Sequence, residues 1–491
     1  MLNHLIILQV IVPLLGAPCC LIVGRNRAAW LFALLVSAVS FLIACLLLAQ
    51  VYDVGSLTYE LGGWAPPWGI EYRLDLLSAW LLVIISLSST VCLFAAQTSI
   101  QKEIEPDKQL FFYVAWLLCL AGLLGILSTG DAFNVFVFLE VSSLSTYTLI
   151  ALGKRRQALW AAFRYLIMGT IGATFILIGI GFMYMMTGTL NMADLAVRLP
   201  KVEDSQAVFV AYTFIVVGIG LKMAMFPLHF WLPKAYAEAP SIATAFLAAS
   251  STKVAVYLLI RFTYTVFDGQ LETAALPLTD ILVALGVLAV FSASTTAIFQ
   301  LDIKKAIAYS SVAQIGYMLI GIGLGSALGM QATLLHLFNH ALMKGGLFLS
   351  IAAIVYRLGS SQLDALNGLG KRMPITSLSF TIGGLSLIGV PLTVGFISKW
   401  YLVSAAIESG RWPLAMLIVM GSLLALAYIW RVVERLYFKE SEAGAPTGEA
   451  PLMMLIPLWL LISANVYFGI DTRLPIEITA EAARSLLEGI R

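Results

Sequence analysis

Charge is scarce in this chain. Asp, Glu, Lys and Arg make up 11% of its 491 residues, against 60% hydrophobic residues, and the mean hydropathy is +0.94. A water-soluble domain of this length needs far more charged surface, so a soluble protein is excluded. Cysteine is sparse too. Cys19, Cys20, Cys45, Cys92 and Cys119 form no CxxC pair and no ligand cluster, which argues against iron–sulfur, zinc or disulfide frameworks. A formal net charge of +2, with no basic or acidic tract, offers nothing for nucleic acid to bind. The chain also lacks a nucleotide-binding loop and a flavin motif, so no cofactor and no resident metal are expected. The opening MLNHLIILQV has neither a cationic start nor a small-residue cleavage site, and reads as a retained first span.

What the chain has is apolar runs of about 20 residues, each long enough to cross a bilayer. They are long and Leu/Ile/Gly/Ala-rich, without the short alternation of barrel strands, so they are read as helices. Fourteen spans are expected, at approximately 3–22, 28–50, 74–97, 110–128, 131–152, 160–186, 207–236, 241–265, 276–299, 305–325, 330–356, 376–407, 414–438 and 452–470. Sixteen Lys and Arg fall in odd-numbered loops, Lys154-Arg155-Arg156 and Arg25 among them. The even-numbered loops hold only Arg73, Arg198, Lys201 and Arg411. That bias puts odd loops in the cytoplasm and both termini outside the inner (plasma) membrane. No loop is long enough for a soluble catalytic domain, and the 439–451 stretch is a small-residue linker.

Two spans carry an internal proline. Span seven reads GLKMAMFPLHFW and span twelve GLSLIGVPLTVGFISKW. Each has Gly-Leu, five residues, then Pro-Leu, from Gly220 to Pro227 and from Gly384 to Pro391. Proline removes a helix hydrogen bond, and paired broken helices in two halves of a membrane chain point to an ion path between repeats. Two ordinary proline kinks would give the same short match.

Basic residues inside spans are Arg164, Lys222, Lys253, Arg261, Lys344 and Lys399. Arg164 and Arg261 sit near span ends and are expected to snorkel. The lysines are deeper, and the one carboxylate expected mid-span is Glu140. Each such charge costs roughly 2.5–3.5 kcal/mol at a helix centre on insertion scales. A static salt bridge would account for Glu140 and one lysine and leave three lysines unexplained. Groups that can be charged or neutral, with one carboxylate, suit a proton relay. His336, His340 and Lys344 recur at i, i+4, i+8 along one face of span eleven. Two histidines so spaced could bind metal, but the lysine would repel a cation, and a row that passes protons fits better. Histidines hydrogen-bonded to neighbouring helices remain the plainer alternative. His229 is expected to face a cytoplasmic vestibule, and His4 to be interfacial.

The stretches TGDAFNVFVFLEV (129–141), GLKMAMFPLHFWLP (220–233), STKVAVYLLIRF (251–262), LDIKKAIAYSSVAQIGYM (301–318), HLFNHALMKGGLFL (336–349) and GVPLTVGFISKW (389–400) resemble the antiporter-like subunits shared by Mrp-type cation/proton antiporters and respiratory complex I. With TGTLNMADLAV (187–197), the first looks closest to the D-type subunit of the Mrp antiporters. The resemblance covers nearly the whole chain. It implies an all-α membrane protein of about fourteen helices with two inverted five-helix repeats, spans four to eight and nine to thirteen, broken in spans seven and twelve. The corresponding segments are 1–109, 110–265, 276–438 and 439–491. By resemblance Glu140, Lys222, Lys253, His336, His340, Lys344 and Lys399 are the proton-translocating residues, with Pro227 and Pro391 at the helix breaks. The histidine–lysine row in span eleven looks more like complex I members than like typical D-type Mrp subunits.

The expectation is a transporter subunit rather than an enzyme, moving protons and sodium with other integral-membrane subunits. The alternatives are a proton-pumping subunit of a complex I-like or membrane hydrogenase assembly, carrying no redox site, and a non-transporting assembly subunit. The charge bias yields a direct test of topology. A cysteine introduced in the 153–159 loop should be labelled only from the cytoplasm, and one in the 470–491 tail only from outside. Reversed labelling would overturn the orientation.

Overall fold

Hydrocarbon offers no hydrogen bonds, so each apolar run must satisfy its own backbone, and the α-helix does this within one segment. The computed structural model describes residues 4–24, 26–202, 205–267, 277–441 and 448–488, and is 83% helical. Arg25 and residues 442–447 of the linker lie outside the described residues. Among the described residues, thirteen helices are long and apolar enough to cross a bilayer. Spans one to six are Leu5–Val23, Asn26–Val54, Leu76–Glu103, Gln109–Ser128, Ala132–Ala151 and Arg156–Thr187. Span seven is Gln206–Met223 and, after a break, Leu232–Glu238. Span eight is Ser241–Ala249, Ser251–Ile260 and a π-helical end, Arg261–Val266. Spans nine to eleven are Leu278–Ile298, Ile303–Gly323 and Ala327–Leu358. Span twelve is split into Pro374–Ile388 and Val394–Glu408. Spans thirteen and fourteen are Trp412–Tyr437 and Leu452–Ile470. With span twelve counted as one broken crossing, this is the fourteen-span order that hydropathy predicts.

Two elements add to the expected helical spans. Leu57–Glu60 and Glu71–Leu74 pair as an antiparallel hairpin between spans two and three. The expected tail is the helix Arg473–Glu488, which lies against spans three and eleven and the π-helical end of span eight. Its Ile478, Ala482 and Leu486 recur every fourth residue and are buried. The hairpin and this helix mark one face of the bundle, called here the hairpin face.

The two repeats share a capping device. Asp131 caps span five by accepting from the Asn134 backbone N–H (2.7 Å), and Asp302 caps span ten by accepting from that of Lys305 (3.1 Å). Asp131 bridges to Asn191, and Asp302 to Gln362, the same 60-residue interval. Five crossings separate the two caps. An odd number puts them on opposite faces, so the repeats are inverted. The helix breaks correspond as well. Among the described residues, the non-glycine positions with positive φ are Ala224 (58°) and Leu392 (70°), one at each break. L-residues occupy that region at a cost of about 1–3 kcal/mol, and it persists where the surroundings over-determine it.

Close helix pairs rest on glycine. A Cβ on Gly286 of span nine would meet the Gly316 carbonyl oxygen of span ten at 2.6 Å, and a Cβ on Gly316 would meet that of Gly286 at 2.6 Å. Small residues let membrane helices approach to backbone contact. Gly316→Val should force these spans apart, at about 1–3 kcal/mol for overpacking. A lower thermal midpoint and reduced yield in detergent are expected, and an unchanged midpoint would show that the contact is dispensable.

Candidate functional site

Span five places Glu140, and the last turn of the first half of span seven places Lys222. Lys222 Nζ lies 3.8 Å from Glu140 Oε1, within ion-pair reach but too long for a hydrogen bond. Its hydrogen bond runs to Ser143 Oγ at 2.8 Å, one turn beyond Glu140. Glu140 Oε1 itself accepts none. Lys222 sits at a helix C-terminus, where carbonyl dipoles favour a cation. The break beyond it is braced by Trp231, whose indole N–H donates to the Leu221 carbonyl (2.9 Å) while its ring stacks on Tyr165 at 3.8 Å.

Beside Lys222 is a cavity of about 30 Å3, lined also by Ser142, Ser143, Thr146, Tyr165 and Ser251. It has room and polar partners for a water molecule. Ser251 Oγ is buried with no hydrogen-bond partner and stands two residues before Lys253. Lys253 is fully buried, and its ammonium donates to the Ala248 carbonyl, just before a break in span eight at Ser250. The part of span eight before the break, Ser241–Ala249, packs on span eleven.

In span eleven, Lys344 Nζ donates to the Ile307 carbonyl of span ten (2.7 Å) and to Ser310 Oγ. His340, one turn earlier, is fully buried with neither ring nitrogen hydrogen-bonded. Its ring lies parallel to that of His336, with centroids 6.0 Å apart. His336 Nδ1 is 2.8 Å from Ser398 Oγ of span twelve, and its Nε2 has no partner. Beside Ser398, Lys399 Nζ donates to the carbonyls of Leu387 and Ile388, both at 2.9 Å, and lies 4.9 Å from the centre of the Tyr317 ring. Those carbonyls end the first half of span twelve, directly before Gly389 and Pro391. Asn339 holds the other side of that break through the Val394 carbonyl (2.6 Å).

The structure therefore brings Glu140 and Lys222 together, and His336 together with Lys399. The lysines without a carboxylate donate hydrogen bonds to backbone carbonyls and a serine hydroxyl. The structure corrects two expectations. Arg261 does not snorkel. It is 9% exposed and forms an ion pair with Asp75 at 2.7 Å. His229 does not face an open vestibule but is buried between the rings of Phe226 and Phe230. Sequence reasoning missed Ser143, Ser251, Ser310, Ser398 and Trp231. Serine is common in membrane helices, and nothing local separates these from the rest. Among the described residues no group of three His, Cys, Asp or Glu is placed to hold a metal ion.

Residues 129–425 match the family described as NADH:quinone oxidoreductase/Mrp antiporter, transmembrane, a range that holds every residue from Glu140 to Lys399. The chain is 42% identical over 489 residues to the N subunit of the NADH-quinone oxidoreductase of Desulforudis audaxviator, covering 96% of each. It is 29% identical over 494 residues to the D subunit of the Na(+)/H(+) antiporter of Bacillus subtilis, covering 99% of this chain and 98% of that one. The fold superposes on a chain of the Mrp complex from Dietzia sp. with a TM-score of 0.89 at 26% identity, over 99% and 98% of the two chains. With its fourteen crossings and paired breaks, the chain belongs to the NADH:quinone oxidoreductase/Mrp antiporter family, as an antiporter-like membrane subunit.

Proposed function

We propose that this chain is the proton-translocating subunit of a multi-subunit antiporter that exchanges sodium for protons across the plasma membrane, with the hairpin face outside. The observation that carries the reading is the run of buried basic side chains through both repeats, Lys222, Lys253, Lys344, His340, His336 and Lys399, with one carboxylate, Glu140, at its start. At 3.8 Å and an effective dielectric near 20, Glu140 and a charged Lys222 attract by about 4 kcal/mol before desolvation. Weakening that pair, by a neighbouring subunit or by a cation drawn to Glu140, releases a proton from Lys222. The serine-lined cavity leads it towards Ser251 and Lys253, and the span-eleven row of Lys344, His340 and His336 links Lys253 to Lys399 in the second repeat. Uptake from the cytoplasm is assigned to the broken end of span seven.

A second reading is a redox-driven proton pump of the complex I type. Its support is the 42% identity to a relative named as a NADH-quinone oxidoreductase subunit. The relay would be the same, with the drive supplied by another subunit. The neighbouring genes separate the two readings: small antiporter subunits against quinone- or NADH-binding ones.

Glu140→Ala and Lys222→Ala should each lower ion-coupled proton flux in vesicles about tenfold or more, the equivalent of roughly 1.4 kcal/mol. The amount of protein in the membrane should be unchanged, and Glu140→Asp should keep part of the flux. Normal transport by both alanine variants would end the relay.

A hard cation needs several oxygen ligands, and Glu140 is already committed to Lys222. Some cation ligands should therefore come from another subunit. Expressed alone, the chain should fail to restore salt tolerance to a sodium-sensitive bacterial host, whereas the full set of neighbouring genes should succeed. Sodium-dependent proton flux from the purified single chain in liposomes would refute this.

A further inference from the structure

A cavity of about 1200 Å3 opens at the hairpin face between span eight, the start of span three and the helix Arg473–Glu488. Its lining includes Asp75, Tyr257, Arg261, Glu477 and Glu481. A space this large, with charged side chains in its wall, holds waters. Lys253, Tyr257 and Arg261 are spaced i, i+4, i+8 and so form one row along span eight, about 12 Å long at 1.5 Å per residue. The row starts at a fully buried lysine and ends in the cavity wall.

The top of the row is latched. Arg261 donates to both carboxylate oxygens of Asp75, at 2.7 and 2.8 Å, a forked geometry that resists rotation. Asp75 is fixed in turn, because it caps span three by accepting from the Ser78 backbone N–H at 2.9 Å. Each carboxylate oxygen of Asp75 thus receives a charge-assisted bond from the guanidinium, which favours the ionised pair. Below it, the Tyr257 hydroxyl is occupied in both directions. It accepts from Arg261 Nε (3.2 Å) and donates to the Leu127 carbonyl (3.5 Å). Arg261 begins the π-helical turn, a local departure from the α-helix of a kind often found at functional sites.

We propose that Lys253, Tyr257 and the Asp75–Arg261 pair form a gated proton outlet from the first repeat to the hairpin face. The arrangement described is the closed one. Opening moves Arg261 off Asp75 into the vestibule, where Glu477 and Glu481 of the last helix give it other carboxylates, and this frees the Tyr257 oxygen. The Lys253 ammonium then passes a proton through water to that oxygen, while Tyr257 passes its own hydroxyl proton to vestibule water. Tyrosine stays neutral, one proton leaves, and Lys253 remains as an amine to be refilled from Lys222. The outlet rests on the proton-translocating function proposed above.

The test uses the whole complex, expressed with its neighbouring genes and reconstituted in liposomes. Tyr257→Phe keeps the ring and removes the hydroxyl, and should lower coupled proton flux at least tenfold. Arg261→Lys should loosen the latch and raise proton leak several-fold when no cation gradient is applied. Ala480→Cys, on the vestibule wall, should transport normally until a bulky, charged, membrane-impermeant thiol reagent is added at the hairpin face, and should then be blocked. The unsubstituted complex with the same reagent is the control. If Tyr257→Phe and the modified Ala480→Cys transport normally while Lys222→Ala does not, the outlet is overturned and the relay stands. If Lys222→Ala also transports normally, the proton-translocating reading itself is what has failed.

Discussion

A lysine ammonium held inside hydrocarbon needs oxygen acceptors, and a broken helix has carbonyls with no donor. In this fold each need meets the other. Lys253 sits on the Ala248 carbonyl where span eight breaks, and Lys399 sits on the Leu387 and Ile388 carbonyls where span twelve breaks. Lys222 ends the helical half of span seven, where Trp231 takes the Leu221 carbonyl. Proline alone does not make the breaks. Pro13, Pro18 and Pro457 lie inside continuous helices. Spans open where a buried cation or an indole N–H is at hand to satisfy what the opening exposes.

The inverted repeat makes a difference between the halves visible. Nine residues beyond the cap Asp131 stands Glu140, and nine beyond the cap Asp302 stands Ser311. Ser311 bonds back to the Ile307 carbonyl of its own helix, a carbonyl that also receives Lys344. The same helix position thus offers a full negative charge in one repeat and a neutral dipole in the other. A charge attracts an ammonium over several ångströms, whereas a carbonyl or hydroxyl acts only in contact. Only the first repeat is built to hold its lysine by charge.

The spans, their order and the two proline breaks are legible in the sequence because hydropathy and Gly-Leu…Pro-Leu spacing are local signals. The row His336–His340–Lys344 is legible because helical periodicity is. The break at Ser250 is not, since no glycine or proline marks it; it follows from the demand of Lys253 three residues on. Arg261 reads as a snorkelling residue because its partner, Asp75, is 186 residues away. The helix Arg473–Glu488 reads as a tail because its overall hydropathy is low, although Ile478, Ala482 and Leu486 have helical spacing. In each case the missing signal is a contact distant in sequence.

The two kinds of lysine partner respond differently to a proton's departure. An ammonium has three N–H donors, and a neutral amine keeps two. The two carbonyl bonds of Lys399 can therefore survive deprotonation, as can the carbonyl and hydroxyl bonds of Lys344. These seats hold the side chain in place and favour the charged form only weakly. The Glu140–Lys222 attraction is different, because at 3.8 Å it is charge alone and vanishes with the proton. The carbonyl seats fix where the basic groups stand, and the single carboxylate makes one of them depend on its charge.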